Sequence, residues 1–244
     1  MEIFNLTGKT ILVTGASSGI GSRCAVAVAA GGGRVFATGR DRQRLDRVFG
    51  ELKGEGHDRM IADLTRPEQV EELVAGLPEL NGVVYSLGIT DVIPAQFVSE
   101  QDIDRNFSVG FGASVLLTAT LLRKKKLVKN NCSLVFISSL ATKYPFYGGG
   151  LYSAAKAALE TYAKTLALEL LPKRIRVNCV SPAFVKGPMM EETEGKISKE
   201  AMEKFLARQP LGLGEPEDVA NAVVFLLSDG AKWITGANLP LGGA

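Results

Sequence analysis

Three side chains of this sequence could work on one carbonyl oxygen: the hydroxyl of Ser139, the phenol of Tyr152 and the amine of Lys156. Tyr152 and Lys156 stand four apart in Tyr152-Ser153-Ala154-Ala155-Lys156, so on a helix they share a face. A phenol with a pKa near ~10 is a poor acid–base catalyst at neutral pH. A neighbouring ammonium stabilises the phenolate and lowers that value, as would a cationic nicotinamide ring. Tyr152 could then give a proton to a carbonyl oxygen as hydride reaches the carbon, or take it back in oxidation. Ser139 ends the apolar run Leu134-Val135-Phe136-Ile137-Ser138-Ser139 and could bond the same oxygen. Alone, a Tyr–Lys pair at this spacing is an ordinary exposed helix pair. The serine-terminated strand, and a glycine turn far upstream, reverse that reading.

The turn is Thr14-Gly15-Ala16-Ser17-Ser18-Gly19-Ile20-Gly21. Ile11–Thr14 before it reads as a buried strand, and Ile20 to Ala30 as a helix of small apolar residues. Gly15, Gly19 and Gly21 permit a tight turn, close approach of a pyrophosphate, and close packing of helix on strand. The helix start offers free N–H donors and the positive dipole end to phosphates. Ser17 and Ser18 either cap the helix or donate to phosphate. The second strand runs into Gly39-Arg40 with no carboxylate at the turn itself. Arg40, helped by Arg42, favours the 2′-phosphate of NADP, while Asp41 one residue later keeps NAD in play. Asp63-Leu64, after the third strand, are candidates for holding the adenine, with an N-cap or turn aspartate as the plain alternative.

These groups need a scaffold, and the hydrophobic pattern supplies one. The spacing predicts strands at Thr10–Thr14, Arg34–Thr38, Arg59–Ala62, Gly82–Ser86, Leu134–Ser138, Arg176–Val180 and Ala237–Leu239. Helices are expected near 19–31, 41–54, 67–76, 100–126, 151–171 and 216–228. Strands alternating with helices imply βαβ units: an α/β fold with a doubly wound parallel β-sheet flanked by helices, in one domain over residues 1–244. One segment breaks the rhythm. Phe184–Gln209, rich in Glu, Lys and Met, is either a substrate lid beyond a strand end or a peripheral helix pair.

Composition removes other classes. With 46% hydrophobic and 22% charged residues the chain has the make-up of a folded domain with a large core. A net charge of +2 argues against a nucleic-acid binder, and Arg123-Lys124-Lys125-Lys126 reads as the solvated end of a helix. Cys24, Cys132 and Cys179 lie far apart with no paired framework, as expected of reduced thiols in a cytoplasmic protein. No signal peptide or membrane span is visible. The sole histidine, His57, sits in a surface-turn context, which removes His triads and multi-His metal sites.

Taken together, Thr14–Gly21, Asp63, Ser139, Tyr152, Lys156 and Arg176-Val-Asn178-Cys-Val-Ser181-Pro182 resemble the short-chain dehydrogenase/reductase family over essentially the whole chain, in particular its 3-oxoacyl-ACP reductase-like members. The resemblance implies a Rossmann-type sheet of about seven strands, an NAD(P)(H) cofactor and interconversion of a carbonyl with a secondary alcohol. It further implies that Lys156 binds the nicotinamide ribose, that Asn178–Pro182 approach the nicotinamide, and that Gly88, Pro182 and Val185 belong to the cofactor site. Many relatives are homotetramers, and an Ala-rich face at Ala154, Ala155, Ala157 and Ala158 would suit packing between subunits as a tetramer or dimer.

Four departures stand out. Tyr85-Ser86-Leu87-Gly88 keeps only the glycine of the family's Asn-Asn-Ala-Gly, so altered packing is expected there. Gly110 falls where relatives carry an asparagine that supports a proton relay; either Asn106 substitutes, or a water fills the gap beside Gly110, or the relay is broken. Gly187 replaces a threonine that contacts the nicotinamide carboxamide. Leu241-Gly242-Gly243 replaces Asp-Gly-Gly. The reading is therefore an NADP(H)-dependent carbonyl reductase, with 3-oxoacyl thioesters as the family-prevalent substrate. Steroids, sugars and quinones stay open, because Leu140, Tyr147, Phe184 and Met189 are merely apolar or aromatic. The alternative is a nucleotide-binding sensor or scaffold with impaired catalysis, suggested by Gly110 and Gly187.

Overall fold

A computed structural model describes residues 4–195 and 211–242, together with 200, 203, 207 and 209. Seven strands form one parallel sheet: β1 (Thr10–Val13), β2 (Arg34–Gly39), β3 (Asp58–Ile61), β4 (Gly82–Tyr85), β5 (Cys132–Ile137), β6 (Ile175–Pro182) and β7 (Asn238–Leu241). Their order is β3-β2-β1-β4-β5-β6-β7. The chain winds outward from β1 to one edge, crosses to β4, and winds to the other edge. The reversal between β1 and β4 opens a crevice at the carboxyl ends of the strands, where ligands of such sheets bind.

The helices are α1 (Gly19–Ala30), α2 (Arg42–Phe49), α3 (Pro67–Gly76), α4 (Glu100–Phe107), α5 (Ala113–Arg123), α6 (Gly150–Leu170), α7 (Pro188–Glu194) and α8 (Pro216–Leu227). Alternate strand residues face opposite sides, so one sheet builds two cores. Leu12, Val83, Leu134 and Val177 pack with α3, α5 and α6. Ile11, Val84, Val135 and Val180 pack with α1, α2 and α8. Central strands buried on both faces read as continuous apolar runs, which is why they were visible in the sequence.

The element ends differ from the expected ones for local reasons. The helix foreseen over 100–126 is broken by a π-helical turn, Ser108–Gly112. The helix expected over 41–54 stops at Gly50. β6 extends to Pro182 because β7 pairs with it, Pro182 lying opposite Leu241. The segment 184–209 contains α7, while 196–199, 201, 202, 204–206 and 208 lie outside the described residues, so the expected lid is described only in part. Gly243 also lies outside them. No helix among the described residues is long and apolar enough to cross a membrane.

Several expectations acquire a physical account. Tyr85 stacks on Phe136 with ring centroids 4.1 Å apart, and its hydroxyl lies 2.8 Å from Thr118 Oγ1. That packing is what stands in the central sheet at the altered Tyr85-Ser86-Leu87-Gly88. Burial pushes the thiols of Cys24, Cys132 and Cys179 up to about 12, consistent with core packing rather than reactivity. His57 does more than occupy a surface turn. Its Nδ1 accepts from Val35 N at 3.0 Å and its Nε2 lies 2.9 Å from Lys53 O, pinning the loop before β3 to the start of β2.

Candidate active site

The crevice holds a cleft of about 1130 Å³, lined by residues from the ends of β1, β2, β4, β5 and β6. At one end is the glycine turn. Gly15 and Gly19 adopt φ of +61° and +52°, a region that L side chains avoid. A Cβ on Gly15 would sit 2.0 Å from Ser86 O, and one on Gly21 would sit 2.2 Å from Gly15 O. The turn therefore tolerates no side chain at either position. Ser18 is the N-cap residue of α1, and its side chain makes no capping bond. Ser17, Ser18, Gly19 and Ile20 all line the cleft, while Gly21 is buried behind them.

Beyond the ends of β2 and β3 the cleft meets Arg40, Asp41, Arg44, Asp63, Leu64 and Thr65. Asp41 is already engaged. It caps α2 by accepting from Arg44 N at 3.0 Å and pairs with Arg44 Nε at 3.3 Å. Arg42 lines a separate hollow with Asp46 and Arg59, and the second arginine lining the cleft beside Arg40 is Arg44. The spacing could not reveal this, since Asp41 as N-cap fixes which of the next residues faces β2. Asp63 is a turn aspartate at the cleft. Its Oδ1 accepts from Thr65 N and Oγ1 at 3.0 and 2.7 Å, a turn aspartate, and the residue lines the cleft. Burial works to raise its pKa, but the Thr65 bonds and then Arg40 hold the carboxyl below its ordinary value.

At the other end Ser139, Tyr152 and Lys156 come together. Ser139 follows β5 and caps a short 3₁₀ turn, Leu140–Thr142, accepting from Ala141 N at 3.1 Å. Tyr152 and Lys156 lie in the first turns of α6. Burial pushes the Tyr152 phenol above its ordinary value, and its hydrogen bond with Ser139 offsets part of that rise. Tyr152 is thus a protonated phenol bonded to a serine, which is the form of a proton donor. Lys156 is buried, and its Nζ donates to Leu87 O and Ile137 O, both at 2.8 Å. Burial pulls the amine down to about 8. Its Nζ lies 5.9 Å from the centroid of the Tyr152 ring. Two of the amine's protons are held by those backbone carbonyls.

The other three departures are also placed. Asn106 does not substitute at Gly110. Its Nδ2 donates to Asp91 Oδ2 at 3.0 Å and to Asp102 O at 2.9 Å, holding α4 to the loop after β4. Beside Gly110 there is no gap on the side of α6, since a Cβ there would lie 3.0 Å from Ala155 Cβ. The π-helical turn presents Val109, and the helix after it Ala113, to the cleft. Gly187 adopts φ +139° as N-cap residue of α7, a conformation that threonine would resist. Leu241 holds the end of β6 through its backbone, accepting from Ala183 N at 2.9 Å.

The substrate side of the cleft is apolar: Leu140, Tyr144, Phe146, Phe184, Met189 and Met190 line it. Tyr147 is not among them; it is 81% exposed. Tyr144, Phe146, Val109 and Thr90 were not foreseen. They sit in loops or at an irregular helix turn, where no periodicity marks the inward face. Gly88, Pro182 and Val185 also reach the cleft, and Asn178 does not: its amide donates to Ile234 O at 3.0 Å and accepts from Ala237 N at 3.1 Å, tying β6 to the segment before β7.

Comparison with known proteins bears on the same cleft. Residues 15–243 match a family model described as enoyl-(acyl carrier protein) reductase. The chain is 33% identical over 243 residues to the 3-oxoacyl-[acyl-carrier-protein] reductase FabG of Rickettsia felis, covering 99% of this chain and 98% of that protein. It is 34% identical to dehydrogenase/reductase SDR family member 2, mitochondrial, of Homo sapiens, over 98% of this chain and 86% of that one. A crystal structure of a dehydrogenase/reductase from Sinorhizobium meliloti 1021 superposes with a TM-score of 0.89 at 32% identity, covering 99% of this chain and 96% of the other.

Proposed function

The chain belongs to the short-chain dehydrogenase/reductase family and is a nicotinamide-dependent oxidoreductase of a carbonyl/alcohol pair; from that premise we propose that it reduces 3-oxoacyl thioesters with NADPH. The observation that carries the reading is the convergence of Ser139, Tyr152 and the buried Lys156 on one end of the cleft, the phenol and the amine mounted on the same helix.

The residues present fit the dinucleotide. Gly15 and Gly21 let the turn close against Ser86 O and against itself, Gly19 faces open space in the cleft, and Ser18 has a hydroxyl not spent on its helix. Ser17, Ser18, Gly19 and Ile20 hold the pyrophosphate, with Asp63 and Leu64 beside the adenine. Arg40 and Arg44 receive the 2′-phosphate, and the capping duty of Asp41 keeps that carboxylate from competing with it. Gly88, Pro182 and Val185 flank the nicotinamide end, and Lys156 binds its ribose. When bound, the nicotinamide supplies the hydride. Ser139 polarises the carbonyl oxygen and Tyr152 protonates it, while Lys156 supplies the positive charge that makes the phenol a stronger acid. The apolar wall around Leu140, Phe146, Phe184 and Met189 suits an acyl chain. The molecule works as a homo-oligomer, supported by an exposed stripe along α6 described below.

The test is NADPH oxidation by the purified protein against 3-oxoacyl thioesters, diketones, quinones and keto-sugars, with NADH and Tyr152→Phe in parallel. The expected result is turnover on the thioesters with NADPH preferred, a loss of about 10²-fold or more in Tyr152→Phe, and nearly unchanged NADPH affinity. Equal activity in Tyr152→Phe overturns the assignment of Tyr152, and a preference for NADH overturns that of Arg40.

A further inference from the structure

One carboxylate beneath the cleft is unused by this chemistry. Glu160 lies one helical turn beyond Lys156 on α6, on the face that also carries Tyr152. Its Oε1 accepts three hydroxyl groups: Ser138 Oγ at 2.7 Å, Thr142 Oγ1 at 3.0 Å and Ser181 Oγ at 3.0 Å. Ser138 and Ser181 are buried, and Glu160 itself is half-buried. Ser181 Oγ also lies 2.7 Å from the Asn238 side-chain amide, which carries the network to β7. Each hydroxyl has one proton to give, and Ser138 and Thr142 also have backbone carbonyls within reach, Lys156 O at 3.4 Å and Ser139 O at 3.0 Å. Ser138 is nearer the carboxylate than its carbonyl, Thr142 is equidistant from the two, and Ser181 is nearer Asn238 Oδ1. A charged acceptor makes the stronger bond, so Glu160 is the tie that governs the rotamers of Ser138 and Thr142.

The donors are not scattered. Ser138 immediately precedes Ser139, and Thr142 closes the 3₁₀ turn that Ser139 caps. Ser181 immediately precedes Pro182, which lines the cleft. Glu160 therefore grips the chain on both sides of Ser139 and at the end of β6, from the helix that bears the acid and the amine. We propose that Glu160 is a positioning residue, which fixes Ser139 against Tyr152 by clamping Ser138 and Thr142 to α6. The clamp acts through Ser139 and rests on the reading that Ser139 bonds the substrate oxygen. Its value lies in geometry: a preorganised donor at a developing oxyanion is worth about 10²–10³-fold in rate, and displacement by about 1 Å forfeits much of it.

A double-mutant cycle tests this, using an acetoacetyl thioester as probe or, if that is not turned over, the fastest ketone of the panel above. Glu160→Ala is expected to lower kcat about 30-fold while KM and the NADPH Kd stay within about twofold, since the clamp orients a group and does not touch ligand. Glu160→Gln, whose amide oxygen still accepts, is expected to return to within about fivefold of the wild type. On a Ser139→Ala background, Glu160→Ala is expected to slow turnover by no more than about threefold further, because residues acting through one another are not additive. Two multiplying effects overturn the proposal, as does wild-type kcat in Glu160→Ala. If Glu160→Ala lowers the folded fraction, Ser138→Ala combined with Thr142→Ala removes two of the donors and carries the same prediction. A Ser139→Ala enzyme with the wild-type rate is a different failure: it overturns the assignment of Ser139 itself.

Discussion

Lys156 sits where two demands on an amine conflict. Apolar surroundings disfavour its charge and pull its value down to about 8, while its protons are held by the carbonyls of Leu87 and Ile137. In the unfolded chain the amine titrates near ~10.4. Between about 8 and that value the unfolded chain binds the extra proton, so this group makes stability rise with pH across the window. Turnover runs the other way. Once deprotonated, Lys156 loses the charge that strengthens Tyr152 as an acid, so kcat for reduction at saturating NADPH should fall along an alkaline limb. Lys156→Arg keeps its charge and should carry that limb to higher pH, although at a lower plateau because the fork of arginine fits two carbonyls differently. Profiles of kcat against pH for both proteins check this, and an unmoved limb refutes it. The residue types and their shared helix face were legible in the spacing of Tyr152 and Lys156. The direction of Nζ was not, because it depends on a carbonyl at Leu87, far off in sequence on the end of another strand.

At the scale of elements, the junction of the π-helical turn with α6 decides how Gly110 is to be understood. Gly110 is buried against Ala155, and its missing side chain is what lets Ser108–Gly112 lie so close to the helix that carries Tyr152 and Lys156. The family resemblance makes Gly110 a lost asparagine. The structure makes it a packing position, because the π turn rotates Val109 toward the cleft. Periodicity could not foresee this: a turn with one extra residue shifts every later side chain around the helix axis, and no apolar spacing announces it. Gly110→Asn should therefore not improve turnover. The new Cβ begins 3.0 Å from Ala155 Cβ, and the remaining atoms have to displace α6 or the π turn. Overpacking of this kind costs about 1–3 kcal/mol. In a chain of 244 residues each kcal/mol moves Tm by about 2–4 °C. Thermal unfolding and kcat measured on the same preparation check it; a stable, faster Gly110→Asn enzyme would restore the simple reading of a lost relay.

On the scale of the molecule, the alternation of apolar runs made the parallel sheet legible, because strands buried on both faces must be apolar throughout. The association of copies was less so, since it depends on which helix residues the sheet leaves outside. Of the four alanines expected to face a partner, Ala155 is buried within its own chain against Gly110. Ala154 and Ala157 remain exposed and continue at helical spacing through Thr161 and Thr165 to Leu168. Leu168 is 74% exposed and Leu171, just beyond the helix, 55%. A stripe of small residues ending in exposed leucines allows two copies of α6 to approach closely and bury the leucines at the margin. The expected outcome is a dimer or tetramer by light scattering at micromolar concentration. Leu168→Arg places a charge in the contact without a partner and should raise the dissociation constant by about 10²-fold or more, which is about 3 kcal/mol. Turnover per chain by the dissociated variant should stay within about threefold of the wild type if the only role of the stripe is association. A monomeric wild-type protein would remove the stripe from consideration. Dissociation with loss of turnover would instead mean that the outer face of α6 holds Tyr152 and Lys156 in place.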